Sequence, residues 1–148
     1  MSEANLGVTG PGTGAVRATV LALVADLLFD ARIRAAAAQA GTAAVTVRRG
    51  DELVRRAREG RASLILVDLD APGADAAAAI SRLKADPVTR GVRVVAYVSH
   101  VNTAATLAAR AAGADRVLAR SAFVRELPSL MRTLATGTTH SGEDAEII

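Results

Sequence analysis

"LILVDLDAPG", residues 64–73, is the stretch whose reading decides the fold. An apolar run stops abruptly at Asp68 and Asp70, and Pro72 and Gly73 then turn the chain. A short continuous apolar run bounded by turn residues predicts a strand buried on both faces. A carboxylate at the end of such a strand is costly unless a partner compensates it. What Asp68 and Asp70 face therefore decides the chemistry at this strand end.

Similar runs recur along the chain. "ATVLALV" (18–24), "AAVTVR" (43–48), "ASLILVD" (62–68), "VRVVAYV" (92–98) and "DRVLAR" (115–120) read as strands. Between them lie helix-like segments: "LLFDARIRAAAAQAG" ending at Gly41, "DELVRRAREG" closed by Gly60, and "ADAAAAISRLKAD" stopped before Pro87. "NTAATLAARAAG" (102–113) and "FVRELPSLMRTLA" (123–135) complete the set, with Pro128 expected early in the last helix, where a proline costs least. Glycine at helix ends and proline just beyond them are physical stop signals. Apolar strands alternating with helices predict an α/β fold with a doubly wound parallel sheet covered on both faces. Function in such sheets sits at the carboxyl ends of the strands, here after Val24, Asp68, Val98 and Ala119.

Composition supports one such domain. The chain has 148 residues, 51% of them hydrophobic, enough for a full core. That core must be aliphatic, since Phe29, Tyr97 and Phe123 are the only aromatics. With no cysteine, thiolate catalysis, disulfides and Cys-ligated metals are excluded. "VLALVADLLF" is too short and too interrupted by Asp26 for a membrane span or a signal peptide, so a cytoplasmic chain is expected. Residues 1–16, Gly/Thr/Pro-rich, read as a flexible N-terminal arm, residues 17–135 as the domain, and 136–148 as an acidic C-terminal tail. "GPGTGA" in the arm precedes the first strand, so it does not meet the context of a dinucleotide loop.

The net charge is +3, but Glu3, Glu143, Asp144 and Glu146 lie in the tails, so the body is more basic than the whole. The densest cluster is "VRRGDELVRRAREGR", where Asp51 and Glu52 precede Arg55 and Arg56 by four residues. That is the favoured ion-pair order of a solvated helix face, which accounts for the cluster without nucleic acid. Lys84 is the only lysine.

At the strand ends the chain resembles the receiver domain of two-component response regulators. The resemblance covers roughly residues 18–135 and rests on Asp68 with Pro72 and Gly73 beyond it, and on "AAGAD" (111–115) leading into the fifth strand. It implies a CheY-like, flavodoxin-like (βα)5 fold with strand order 2-1-3-4-5. It also implies that Asp68 holds the position that accepts a phosphoryl group from a histidine kinase. In the family, two acids after the first strand hold Mg²⁺, while a Ser/Thr after the fourth strand and a Lys after the fifth contact the phosphoryl oxygens. The chemistry asks for such a set, because cations must neutralise charge gathering on the transferred oxygens.

The sequence departs from that pattern at the supporting positions. The acidic pair falls on Val24 and Ala25, the hydroxyl on Val98 with Ser99 one residue late, and the lysine on Arg120. Val117 replaces the switch aromatic. Asp26, Asp68 and Asp70 are the acids left for a Mg²⁺, which wants octahedral oxygen ligands. Ser99 and Arg120 remain as lining of a phosphoryl pocket.

The expectation is therefore a stand-alone, degenerate receiver: not an enzyme, and signalling by protein–protein contact. Asp68 would pair with Arg120, and Asp70 would face solvent. The alternative is a working phosphoacceptor in which Asp26 and Asp70 share Mg²⁺ with Asp68. The expected partner is a histidine kinase or a downstream signalling protein. A homodimer through the face of helix four, strand five and helix five, carrying Arg110, Arg116, Arg125 and Arg132, is the other candidate. No nucleic-acid or membrane partner is expected.

A remoter reading is a haloacid-dehalogenase-like phosphatase with Asp68 as nucleophile and Asp70 as acid/base. It is opposed by the motif's place on the third strand and by the missing lysine. Ser99 and His100 lack the Gly-x-Ser-x-Gly elbow of a hydrolase, and His140 falls in the tail.

Overall fold

The computed structural model describes residues 18–60, 62–99 and 103–136. The expected arm, His100, Asn102, His140 and the tail beyond Thr136 lie outside the described residues. The elements run β1 (Thr19–Leu23), α1 (Leu27–Gln39), β2 (Ala43–Val47), α2 (Gly50–Arg58), β3 (Leu64–Asp68), α3 (Ala76–Ala85), β4 (Val94–Val98), α4 (Thr103–Ala112), β5 (Arg116–Ala119) and α5 (Arg120–Thr136). All neighbouring strands are parallel and the sheet order is β2-β1-β3-β4-β5, as expected.

Strand alternation sorts the apolar residues onto two faces. Leu21, Leu23, Ile65, Val67, Val94 and Ala96 pack with Leu53 and Val54 of α2, Ile80 and Leu83 of α3, and Ala109 of α4. Their neighbours Val20, Ala22, Leu64, Leu66, Val95 and Tyr97 pack with Phe29 and Ile33 of α1 and with Phe123, Leu127 and Met131 of α5. β3 and β4 lie inside the sheet, and every one of their residues is buried. The doubly wound cover explains why their sequences show no polar alternation.

Four local expectations change. The α5 helix begins at Arg120 rather than Phe123, so strand and helix abut with no loop between them. Pro128 therefore sits well inside α5, where it cannot donate to the carbonyl of Val124. In α2, Asp51 pairs with Arg49 (2.7 Å), while Arg55 reaches Glu52 at 3.8 Å and Glu59 at 3.7 Å. Arg49 stands just outside the helix in extended backbone, which lets it fork onto Asp51 more easily than a residue one turn on. These pairs are exposed and contribute little. Finally, Arg116 is held by both carboxylate oxygens of Glu126 (2.7 and 3.2 Å), and Arg132 faces α1, so the basic face around α4 and β5 is thinner than the sequence implied.

No helix among the described residues is long and apolar enough to cross a membrane.

Candidate functional site at the carboxyl end of the sheet

Asp68 ends β3, opposite Tyr97 of β4 in register. It shares parity with Leu64 and Leu66, so its side chain lies on the α1/α5 side of the sheet. It is only 2% exposed. Its Oδ1 accepts from the Asp70 amide (2.9 Å), and its carbonyl accepts from the Ala71 amide (3.3 Å). The chain then reverses over Ala71–Ala74, closed by a bond from the Ala74 amide to the Ala71 carbonyl (3.3 Å). Pro72 and Gly73 are the central residues, and Gly73 takes φ 65°. Proline followed by a positive-φ glycine is the chemistry of a type II turn. That is the physical content of "DAPG".

The loop is buttressed from α2. The Gly50 amide donates to the Ala74 carbonyl (3.1 Å), and a Cβ on Gly50 would lie 2.4 Å from that same oxygen. Only glycine permits this approach. Nothing in the sequence around Gly50 signalled a connection to the Asp68 loop.

Asp26 caps α1. Its Oδ1 accepts from the amides of Leu28 (2.7 Å) and Phe29 (3.3 Å), two donors that a helix start leaves unpaired. Its Oδ2 lies 4.0 Å from Arg120. Arg120 also stands 4.0 Å from Asp68 Oδ2. One guanidinium thus faces two carboxylates that belong to different elements. It is 4.4 Å from the centre of the Phe29 ring as well, a cation–π contact that fixes its plane.

The three aromatics of the chain gather beneath this cation. Tyr97 stacks on Phe123 at 4.1 Å and on Phe29 at 5.4 Å. Tyr97 is the penultimate residue of β4, Phe29 lies in the first turn of α1 and Phe123 in the first turn of α5, so all three stand near the carboxyl ends of strands. Tyr97 is fully buried, and among the described residues neither its hydroxyl nor Arg120 Nε has a hydrogen-bond partner. Burial, reinforced by the charge of Asp68, pushes the Tyr97 phenol well above its usual range. Burial likewise raises Asp68, although the Asp70 amide and the Arg120 charge pull the other way.

Asp70, expected to face solvent, instead fastens two loops. Its Oδ2 accepts from the Ser99 amide at 2.6 Å, joining the end of β3 to the end of β4. Ser99 enters the site through its backbone. Val24 and Val98 are 1% and 4% exposed and supply no side-chain oxygen.

These side chains do not fit a Mg²⁺ centre as arranged. Asp26 gives one oxygen to the α1 cap, Asp70 gives one to Ser99, and a guanidinium already faces the free oxygens of Asp26 and Asp68. Among the described residues no group of three or more His, Cys, Asp or Glu is placed to hold a metal ion. The arrangement places a buried carboxylate beside the partly exposed guanidinium of Arg120.

No family model matches the sequence, and no curated protein matches it. Solved structures do. A phosphorylated cyanobacterial phytochrome response regulator is 20% identical, with a TM-score of 0.70 over 85% of this chain and 99% of that one. The receiver domain of a sensor histidine kinase from Pseudomonas aeruginosa, solved with a magnesium ion in its active-site cleft, is 22% identical, with a TM-score of 0.71 over 81% and 98%. A chemotaxis response regulator of Vibrio cholerae is 16% identical, with a TM-score of 0.69 over 80% and 98%. At such identities the likeness is one of architecture, and it agrees with the strand order: the chain has the CheY-like fold of response regulator receiver domains.

Proposed function

We propose that this chain is a non-enzymatic, receiver-like signalling module of a two-component system that acts by protein–protein contact. Asp68 keeps the acceptor position, while Arg120 takes the place of the metal ion. The observation that carries this reading is the pair of 4.0 Å approaches from Arg120 to Asp26 and Asp68. A cation that is part of the chain offsets a share of the buried charge permanently. It leaves neither the open coordination positions nor the movable ligands that Mg²⁺-assisted attack of a carboxylate on phosphate requires.

The deciding experiment is incubation with acetyl phosphate or fluoroberyllate in Mg²⁺, read by intact mass and amide spectra. The protein should show neither a mass gain nor shifts around Asp68. A phosphoryl adduct that disappears in Asp68→Asn would establish the second reading, a working phosphoacceptor, which the buried position of Asp68 before the Pro72–Gly73 turn favours. Turnover of an aryl phosphate, lost in the same variant, would instead establish a phosphatase.

The partner face proposed is α4, β5 and α5, where Arg110 and Arg125 are exposed and Leu107 is 59% exposed. It would take a histidine kinase, a downstream protein or a second copy. Sedimentation at high concentration and capture experiments with Leu107→Glu test it. A monomer that captures the same proteins with or without the substitution would overturn this choice of face.

A further inference from the structure

Of the ten residues of α4, all of them described, only Ala109 is buried. Other helices are seated by large side chains, as α1 is by Phe29 and Ile33 and α3 by Ile80 and Leu83. The one large apolar side chain of α4, Leu107, is 59% exposed. A helix that buries a single methyl group gains little hold on the core through its middle. Its position is set largely from its two ends.

The C-terminal end is tied to β4. The Ala114 amide donates to the Ala109 carbonyl (3.0 Å), Gly113 turns the chain at φ 109°, and the Asp115 amide donates to the Val94 carbonyl (2.9 Å). At the other end the chain leaves β4 at Val98, and the next residue, Ser99, gives its amide to Asp70 Oδ2 at 2.6 Å. The acceptor is a carboxylate, which makes this a charge-assisted bond. Asp70 is itself placed by the strand end. Its own amide donates to Asp68 Oδ1 (2.9 Å), and the Leu69 amide donates to the Tyr97 carbonyl (2.9 Å), carrying the β3–β4 pairing one step past the end of β3. Two successive bonds thus run from the buried carboxylate of Asp68, through Asp70, to the backbone that leads towards α4.

We propose that Asp70 is a positioning residue for the α4 face. Its carboxylate holds the approach to α4 against the Asp68 turn, and so keeps the exposed Leu107 and Arg110 in one arrangement without any covalent change at Asp68. The inference rests on the reading of α4, β5 and α5 as the partner face, and names what fixes that face. Loss of the Asp70 bond frees the N-terminal half of α4, while its end at Ala109–Ala114 stays tied to β4.

Amide hydrogen exchange of the free protein, followed residue by residue, tests this with Asp70→Ala, Asp70→Asn and Ser99→Ala. Asp70→Ala should accelerate exchange several-fold at Ser99, Leu107 and Ala108, and leave Ile33 and Ala37 of α1 unchanged. Asp70→Asn retains an oxygen that can accept from the Ser99 amide, so it should restore the native rates. Ser99→Ala removes a hydroxyl that the bond does not use, and should also leave the rates native. Exchange in α4 that is unaffected by Asp70→Ala would overturn the proposal. So would acceleration of equal size in α1 and α4, which is general destabilisation. Failure of Asp70→Asn to restore the rates, or loosening of α4 in Ser99→Ala, would overturn it equally. No partner enters this measurement, so capture unaffected by Leu107→Glu would count against the choice of partner face alone.

Discussion

The guanidinium of Arg120 stands 4.0 Å from the carboxylate of Asp68, one side chain 28% exposed and the other 2%. The separation is long for a hydrogen bond, so the attraction is that of charges across a partly buried gap. Removing one partner of such a pair leaves the other charge uncompensated, which costs more than the pair itself contributes. Arg120→Met should therefore lower stability by about 1–3 kcal/mol. Asp68→Asn keeps the acceptor for the Asp70 amide and leaves a cation that is partly exposed and still faces Asp26, so unlike loss of Arg120 it should be neutral or stabilising. The double variant should recover most of the loss. Urea unfolding of the four proteins at pH 7 checks this, and equal losses in the presence and absence of Asp68 would show that the two residues are not coupled.

Tyr97 gives a second test in the same cluster. Its ring packs between Phe29 and Phe123, yet its buried hydroxyl has no partner among the described residues. A buried polar group without a hydrogen bond destabilises the native state. Tyr97→Phe keeps the stack and removes that group, so it should leave stability unchanged or raise it by about 1 kcal/mol. A clear loss of stability on thermal or urea unfolding would mean that the hydroxyl is bonded in solution, with water as the first candidate.

Most of the fold was legible because the determinants are local and periodic. Apolar runs such as 64–68 and 94–98 are short, rich in aliphatic and β-branched residues and followed by polar or turn residues, which marks them as buried strands, and Gly41 and Gly113 mark helix ends in the sequence itself. The position of Asp68 followed from the same reading, and so did its encounter with Arg120, since both lie at carboxyl ends of strands. The site's other contacts depend on distances between segments far apart in sequence. Asp70 reaching the Ser99 amide joins residues of two loops, and Gly50 touching Ala74 joins α2 to the Asp68 loop. Neither leaves a periodic trace. The stack of Phe29, Tyr97 and Phe123 had a weak signal in their common nearness to strand ends. The start of α5 at Arg120 had none, because strand five and the helix share an unbroken run of compatible residues.

Lys84 was notable in the sequence only for being the sole lysine and for lying too early to serve the phosphoryl site. In the structure it is a bracket. Its Nζ donates to the carbonyls of Arg90 (3.3 Å) and Val92 (2.9 Å) and pairs with Asp115 (2.9 Å), which in turn accepts from the Val94 amide (2.7 Å). One side chain of α3 thereby fixes the entries to β4 and β5, and its stem packs where a side chain on Gly113 would otherwise stand. Lys84→Met preserves the stem and deletes the donors. It should cost about 1–3 kcal/mol and speed amide exchange at Val94 and Asp115. Unchanged exchange at both would show that the bracket does not constrain the strand entries.

The carboxylates make opposite contributions as pH falls. Burial alone would raise Asp30, but hydrogen bonds from Arg34 and Thr46 outweigh it and hold the group below the usual 3.8. The Val88 amide and Arg58 lower Asp86, and Arg49 lowers Asp51 to about 2. For these three the unfolded chain takes up protons first, so the stability they confer is complete above 3.8 and is lost as pH falls through the folded values. Asp68 runs the other way, because burial raises it. Its folded form takes up a proton before the unfolded form does, so its favourable contribution is complete below 3.8 and is lost as pH rises through the raised value. Lowering pH from neutrality should therefore first relieve the Asp68 penalty and raise stability slightly, and then, below about pH 4, reduce it steeply. Unfolding free energies measured across this range should show the early rise in the native protein and not in Asp68→Asn, while the steep acid limb persists in both. An early rise of the same size in Asp68→Asn would assign it to another group and remove the buried charge of Asp68 from the account of this site.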